Sequence, residues 1–417
     1  MTPSSTSSSE LDGRYQTLEP GRRRRVDLGI ALACVLVFGS VAGTHHLLAG
    51  LLDFNGRPAG LLEHLPQLAS DHRDRQKVVV FGSSMTQAAF EPALFDARLD
   101  ELGLDVVSYN HGVGNLNPEY QEILSRRIRE ALEQEDETLA LTLVELTPFQ
   151  ATLTRSEFTA FTRDQNHALL MTTSELCDVA LEDPDRGARL LTIRHVRNGL
   201  SAELLTSLPG ILYGALSNRD PSPPPELRAL EERRREARSR FEALLPAGTS
   251  LDTDGWNAGL RGGRLDRARL SAKARTALED WGAVPANPAR MRADLQRRVD
   301  QGDILELHFD ETQVQAFISL VKNLASVSDT IEVILLPQNT DWVRHGPQAR
   351  ARLDAVLTRI TAETGVRVRD LQHDSRFTPR QFVDTTHLSV QEGAETFTTI
   401  LAEIHADTLR RASDARY

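Results

Sequence analysis

The chain has 417 residues, 40% of them hydrophobic, enough for two average domains or one domain with a large insertion, and this excludes wholesale disorder. Its net charge of −11, with no basic stripe beyond residue 25 that is free of interleaved acids, argues against a nucleic-acid partner. Only Cys34 and Cys177 are cysteines, which leaves a disulfide framework, a cysteine zinc site and an iron–sulfur cluster without support.

The first segment, 1–25, is rich in Ser and Thr and poor in large aliphatics, so it cannot repay the entropy of ordering and is expected to be a disordered tail. Arg22, Arg23, Arg24 and Arg25 then precede an apolar run from Leu28 to Gly43, which continues more weakly through Leu47, Leu48, Leu51 and Leu52. Arginines beside such a run stay in the cytoplasm, so 26–52 is expected to be a transmembrane signal anchor that delivers the rest of the chain to the far side. The uninterrupted run is slightly short of the roughly 17 to 25 residues of a spanning helix. A cleaved signal peptide, for which Ser40-Val41-Ala42 is the best, imperfect, cleavage site, and after it a buried soluble helix are the alternatives. Residues 53–76, polar with Gly and Pro, are expected to form a stalk.

From residue 77 the pattern becomes that of a parallel sheet wrapped by helices. Val78, Val79, Val80 and Phe81 form a short, fully apolar strand that runs into Gly82, Ser83 and Ser84. Pro92 to Leu102 carries Leu94, Phe95, Leu99 and Leu102 at helical spacing, with Gly103 placed as a stop. Val106, Val107 and Tyr109 make a second strand, followed by the loop NHGVGN at 110–115. Asn117 and Pro118 then start a helix as cap and first residue. Leu139 to Leu146 is a third strand.

The segment 151–300 breaks this rhythm with helical, Pro-rich and strongly charged stretches, and is expected to be a mostly helical insertion or lid between the halves 77–150 and 301–417. The α/β pattern resumes with a helix from 311, the strand IEVILL at 331–336, the polar loop PQN at 337–339, a helix from Arg350 to Thr364 and a last strand at 366–370.

A strand that ends in Gly and two hydroxyls offers a nucleophile at the carboxyl edge of a sheet, where ligands of open α/β sheets bind. The competing reading of the same residues is a turn with a helix cap. Near the other end of the chain, FVDTTHLSVQEG at 382–393 holds Asp384 and His387 three apart, followed by Ser389 and Glu392 at the spacing of a capping box. Ser–His chemistry needs a histidine to take the nucleophile's proton and a carboxylate to orient the imidazole, and the order Ser, Asp, His is one of several that supply this. Ser84, Asp384 and His387 are therefore the candidate catalytic residues. His308 and Asp310 have metal-like spacing but lack a third ligand, and no phosphate-binding or dinucleotide fingerprint occurs, so neither metal nor cofactor is expected. His111, in the loop after the second strand, is a candidate substrate contact.

The early Gly82-Ser83-Ser84, the Asn/Gly loop after the second strand and the late Asp-x-x-His together resemble the SGNH (GDSL-type) hydrolase superfamily. The resemblance implies a flavodoxin-like three-layer α/β/α sandwich with a parallel sheet. It also implies Ser84 as nucleophile, Ser83 at the family's Asp position, and Gly114 or Asn115 as oxyanion contacts. Within the superfamily, FGSS, NHGVGNLNPEY, VILLPQN and FVDTTHLS are similar to the membrane-anchored D-alanine transfer protein of teichoic acid synthesis and to alginate-type polysaccharide O-acetyltransferases. The likeness covers roughly 77–150 and 305–410. Two blocks depart: the family's Gly-x-Asn-Asp, source of an oxyanion-hole asparagine, is represented by VELTPF at 144–149, which has no asparagine, and the second block is imperfect, its glycine falling on Gly114 or replaced by Asn115. The implied activity is extracytoplasmic transfer of an O-acyl group, most simply acetyl, on a cell-envelope or exported polysaccharide. A multi-pass membrane acyltransferase is the implied partner. A simple carbohydrate esterase, or a non-catalytic glycan-binding or assembly protein on the same fold, is the alternative.

Overall fold

The computed structural model describes residues 56–114, 117–159, 163–194, 225–246, 267–300 and 306–416, with a few isolated positions besides. The chain forms two compact units, one of Asn55–Thr173 with Asn218–Tyr417, which holds the sheet, the other of Met1–Phe54 with Ser174–Ser217. The segment 151–300 is thus divided between them. The expected anchor, 26–52, lies outside the described residues except for isolated helical positions. No helix among the described residues is long and apolar enough to cross a membrane.

In chain order the elements are α1 (Gly56–Ser70), β1 (Gln76–Gly82), α2 (Ser84–Ala89), α3 (Pro92–Asp100), β2 (Val106–Gly112), α4 (Pro118–Gln134) and β3 (Leu141–Glu145). Then come α5 (Leu153–Thr159), α6 (Arg163–Leu170), α7 (Thr173–Glu182), α8 (Pro184–Thr192), α9 (Pro225–Glu242), α10 (Ala272–Ala283) and α11 (Pro288–Asp300). The chain ends with α12 (Glu311–Ala325), β4 (Ile331–Leu335), α13 (Pro347–Thr364), β5 (Arg367–Asp370) and α14 (Gly393–Arg416).

The five strands form one all-parallel sheet in the order β2-β1-β3-β4-β5, the doubly wound order. Successive side chains of a strand point to opposite faces, and β1 feeds two cores accordingly. Val79 and Phe81 join Tyr120, Leu124, Phe317 and Leu353 on the face covered by α1, α4, α12 and α13. Val78 and Val80 join Phe90, Phe95, Phe397 and Leu401 on the face covered by α2, α3 and α14. Strands buried on both sides explain the unbroken apolar run that marks β1 in the sequence. A smaller cluster, with Phe241 stacked on Trp281, joins α9 and α10 and takes in Val390 from the segment just before α14. In the other unit, α7 and α8 bury Leu176 and Leu190, and Gly187 lies against Ala180 so closely that a Cβ would overlap it.

Local signals set several boundaries. Gly103 adopts φ 75°, left-handed backbone that glycine takes without steric cost, just past α3. The Asn117 side chain accepts from Tyr120 N–H at the start of α4. The region expected as a stalk contains α1, whose Leu61, Leu65, Leu68 and Ala69 are buried in the first core. Its attachment includes the buried Lys77, whose Nζ donates to Ala69 O (2.8 Å) and pairs with Glu137 (2.9 Å). The capping box expected at Ser389 and Glu392 is not formed on the last helix. Ser389 Oγ accepts from Glu392 and Gly393 N–H in a turn that precedes α14, while the Glu392 carboxylate pairs with Arg380.

Phe397 carries the α14 face of the second core with no exposed surface. Phe397→Ala is expected to cost about 3–5 kcal/mol of stability, read as a lower urea midpoint for loss of far-ultraviolet dichroism.

Candidate active site

The site is built at the point where the strand order turns back on itself. From β1 the chain crosses to β2 on one side and then to β3 on the other, which opens a crevice at the carboxyl ends of β1 and β3. In register, Gly82 of β1 lies beside Gly112 of β2, and Phe81 beside Val144 of β3, so the turn after β1 lies against Glu145. A side chain at Gly82 would overlap Thr86 Oγ1 and Glu145 Oε2, and one at Gly112 would overlap the backbone of Gln87. Glycine at both positions lets the strand ends and the following turn approach this closely.

Glu145 is buried and organises that turn. Its carboxylate accepts from Ser83 N–H (2.9 Å), Ser83 Oγ (2.5 Å), Thr86 N–H (3.0 Å), Thr86 Oγ1 (2.5 Å) and Thr147 Oγ1. Ser83 is the cap of α2 and accepts from Met85 N–H (3.1 Å), while its carbonyl takes Gln87 N–H (2.9 Å). Ser83 thus fulfils the cap reading of the serine pair, and Ser84 is left to face outward. From Gln76 to Pro92 every residue is buried except Ser84 and Gln87, which stand three apart on α2 and so share its one open face.

The second half of the site arrives from the far end of the chain. An antiparallel bridge between Phe382 and Leu388 closes a tight loop that carries Asp384 and His387. His387 Nδ1 lies 2.8 Å from Asp384 Oδ2, and His387 Nε2 lies 2.9 Å from Ser84 Oγ. A carboxylate only accepts, so the ring proton belongs on Nδ1 and leaves Nε2 to accept from the serine hydroxyl. The other Asp384 oxygen accepts N–H bonds from Thr386 (2.9 Å) and His387 (2.7 Å). Burial would raise the pKa of Asp384, but the hydrogen bond and charge of His387, with the two backbone N–H groups, outweigh it. The carboxyl is held well below the usual carboxylate range.

The loop is braced by α11. Asp294 accepts from Thr385 N–H (3.2 Å) and from Thr385 Oγ1, and it pairs with Arg298, whose Nη2 donates to Thr386 Oγ1 (2.7 Å). Arg298 is buried with its guanidinium 4.5 Å from the centre of the Phe149 ring, in the segment after β3. Burial opposes ionisation of Asp294, and Asp384 repels it. Thr385, Arg298 and Arg297 prevail and lower its pKa. Asn339, just past β4, donates its N–H to Thr385 O (3.3 Å) on the same loop.

The remaining sequence candidates fall in different places. Gly114 lies at the crevice: a Cβ on it would come 3.6 Å from Ser84 Cβ, but its N–H already donates to Gln87 Oε1 (3.0 Å). Asn115 is outside the described residues. His111 lies within β2 with its ring fully buried, which withdraws it from contact with a substrate in this conformation. Asp310 caps α12 and His308 pairs with Glu306 at the surface, and among the described residues no group of three or more His, Cys, Asp or Glu side chains is placed to hold a metal. Glu145, Gln87, Asp294 and Arg298 were not singled out from sequence. Glu145 left a usable trace, a lone carboxylate inside the apolar run LALTLVEL, which a sheet can bury only with donors around it.

Fold and geometry define an α/β protein with a Ser–His–Asp hydrogen-bonded series at the carboxyl edge of a doubly wound sheet. No family model matches the chain, and no curated protein is significantly similar to it.

Two outcomes follow from these contacts. Glu145→Gln replaces an acceptor by a donor among groups that already donate, and is expected to cost about 2–3 kcal/mol, measured as a lower urea midpoint. Asp384 has a lowered pKa when folded, so its stabilising share is present above the unfolded value of about 3.9 and is lost as pH falls below it. Between pH 5 and 3 the unfolding free energy of the wild type should therefore drop more steeply than that of Asp384→Asn.

Proposed function

We propose that the chain is a serine-dependent acyl-transfer enzyme of SGNH type, acting on O-acyl groups, most simply acetyl, of a cell-envelope or exported polysaccharide. The observation that carries this reading is the continuous series from Ser84 Oγ through the His387 imidazole to Asp384, at 2.9 and 2.8 Å, in an opening at the topological switch point. Further support comes from the sheet order, which suits the flavodoxin-like sandwich that the motif resemblance implies.

In this reading Ser84 Oγ attacks the acyl carbonyl carbon as its proton passes to His387 Nε2, and the carbonyl π pair moves onto oxygen. The tetrahedral adduct collapses with cleavage of the ester C–O bond, and the departing alcohol takes the proton from His387. An acceptor hydroxyl then repeats the sequence in reverse on the acyl-serine; with a sugar hydroxyl the enzyme is a transferase, with water an esterase. Asp384 keeps the imidazole in the tautomer required and balances its transient charge. The amide of Ser84 is suited to receive the developing oxyanion. Its neighbours Ser83, Met85, Thr86 and Gln87 donate to Glu145 or Ser83, whereas Ser84 N–H has no acceptor among the described residues.

The site is assigned to the extracytoplasmic side, with the chain anchored through 26–52, on the strength of Arg22 to Arg25 beside the apolar run. The acyl donor would then come from a multi-pass membrane acyltransferase. A non-catalytic glycan-binding role is favoured by one observation, the engagement of Gly114 N–H by Gln87 where the resemblance places an oxyanion donor.

Full-length protein in detergent is expected to hydrolyse p-nitrophenyl acetate and to be labelled by a fluorophosphonate. Ser84→Ala should abolish both, and His387→Ala should lower kcat by roughly 10³-fold or more. Labelling that survives Ser84→Ala would remove Ser84 as nucleophile; a folded wild type that neither labels nor turns over would favour the binding role.

A further inference from the structure

We propose that Gln87 is a catalytic residue whose side-chain NH2 group donates to the oxyanion, in the role of the asparagine that the segment after β3 lacks. The inference rests on the acyl-transfer reading above and adds a second donor to the Ser84 amide.

Four observations carry it. Gln87 is three residues beyond Ser84 on α2, on the same face, and these two alone break the burial of the stretch from Gln76 to Pro92. Its carboxamide is at the crevice, because it bonds Gly114, whose Cβ position would be 3.4 Å from Gln87 Oε1 and 3.6 Å from Ser84 Cβ. The orientation of the amide is fixed by chemistry: Gly114 N–H can only donate, so the atom facing it is the oxygen, and Nε2 is turned away from that loop. Finally, Nε2 has no acceptor among the described residues, while Oε1 is held at 3.0 Å. A side-chain donor that is tethered at one end and uncommitted at the other is preorganised, the property that makes an oxyanion donor effective.

The tether also accounts for the engaged Gly114 amide. A backbone N–H spent on Gln87 Oε1 polarises that carboxamide and strengthens its NH2 group as a donor, as hydrogen bonds in series do. The glycine's contribution is then transmitted through the glutamine rather than made directly. No proton is transferred: as the Ser84 Oγ–C bond forms and the carbonyl pair moves onto oxygen, Nε2–H and Ser84 N–H both shorten onto that oxygen, and both relax when the ester bond breaks.

The competing role for Gln87 is a structural tie between α2 and the loop after β2. Two near-isosteric variants separate the two roles. Gln87→Glu keeps an acceptor for Gly114 N–H and removes the donor; Gln87→Met removes both. Full-length protein in detergent is assayed with p-nitrophenyl acetate, with melting temperature and fluorophosphonate labelling rate measured in parallel. An oxyanion donor predicts that both variants lose about 10²-fold or more in kcat with KM little changed, and that labelling slows in step. A structural tie predicts near wild-type kcat in Gln87→Glu and a loss only in Gln87→Met. That result, or kcat within about threefold of wild type in both variants, overturns the proposal. If one variant fails to fold, the other decides. If wild type turns over and Ser84→Ala does not, failure at Gln87 leaves the acyl-transfer reading standing; a folded wild type that is inert and unlabelled overturns both.

Discussion

Burying a carboxylate is expensive unless its lone pairs are met by donors, and at Glu145 the protein concentrates them: two backbone N–H groups and three hydroxyls from Ser83, Thr86 and Thr147. The donors come from both sides of the turn after β1, so satisfying the charge also fixes the backbone of that turn. Ser84, between them, is set facing the crevice without any bond from Glu145 itself. Gly82 belongs to the same constraint, since the carboxylate occupies the volume its side chain would need. One buried charge thus specifies a glycine, a cap and the direction of the adjacent hydroxyl.

The opposite wall is held on different terms. Asp384 and His387 sit in a short bridged loop without regular structure of its own, and rigid elements must hold it from outside. The end of β4 does so through Asn339, and α11 through Asp294 and Arg298. The inserted helices are therefore part of the site's support. The acids on this side, Asp294 and Asp384, repel one another, and each is kept ionised by separate partners. Loss of Arg298 would leave the pair without one of those partners.

Much of this was legible in the sequence where local pattern and tertiary role agree. The run Val78 to Phe81 announces a strand buried on both faces, Gly103 and Asn117 mark helix ends through their own backbone and side chain, and Asp-x-x-His brings its two functional groups together within four residues. What stayed hidden depends on partners distant in sequence. Helix α1 carries Pro66 in its interior and a modest apolar stripe, and it is held by Lys77 and the sheet rather than by helical propensity. Gln87 looks like any polar residue on a short helix until β2 brings Gly114 against it. Glu145 shows only as a charge in an apolar strand, and all its donors but the nearby Thr147 hydroxyl come from a turn some sixty residues earlier. The expected capping box failed for a related reason: Arg380 offers Glu392 a better partner than the Ser389 amide, which bonds Gln381 O.

The serine and histidine are 303 positions apart, and the loop that carries the histidine leans on α11, which the chain lays down long before β4, β5 and α14. Closing so long a loop is slow compared with forming helices and adjacent strands. During synthesis or refolding the first half can present Ser84, in a turn held by Glu145, well before His387 reaches it, so the hydrogen-bonded series stays incomplete until the end of the chain docks. Completion of the Ser84–His387–Asp384 series then reports completion of the whole sheet: a chain cut anywhere between the end of β3 and residue 387 still contains Ser84 and Glu145 and lacks the histidine that pairs with the serine.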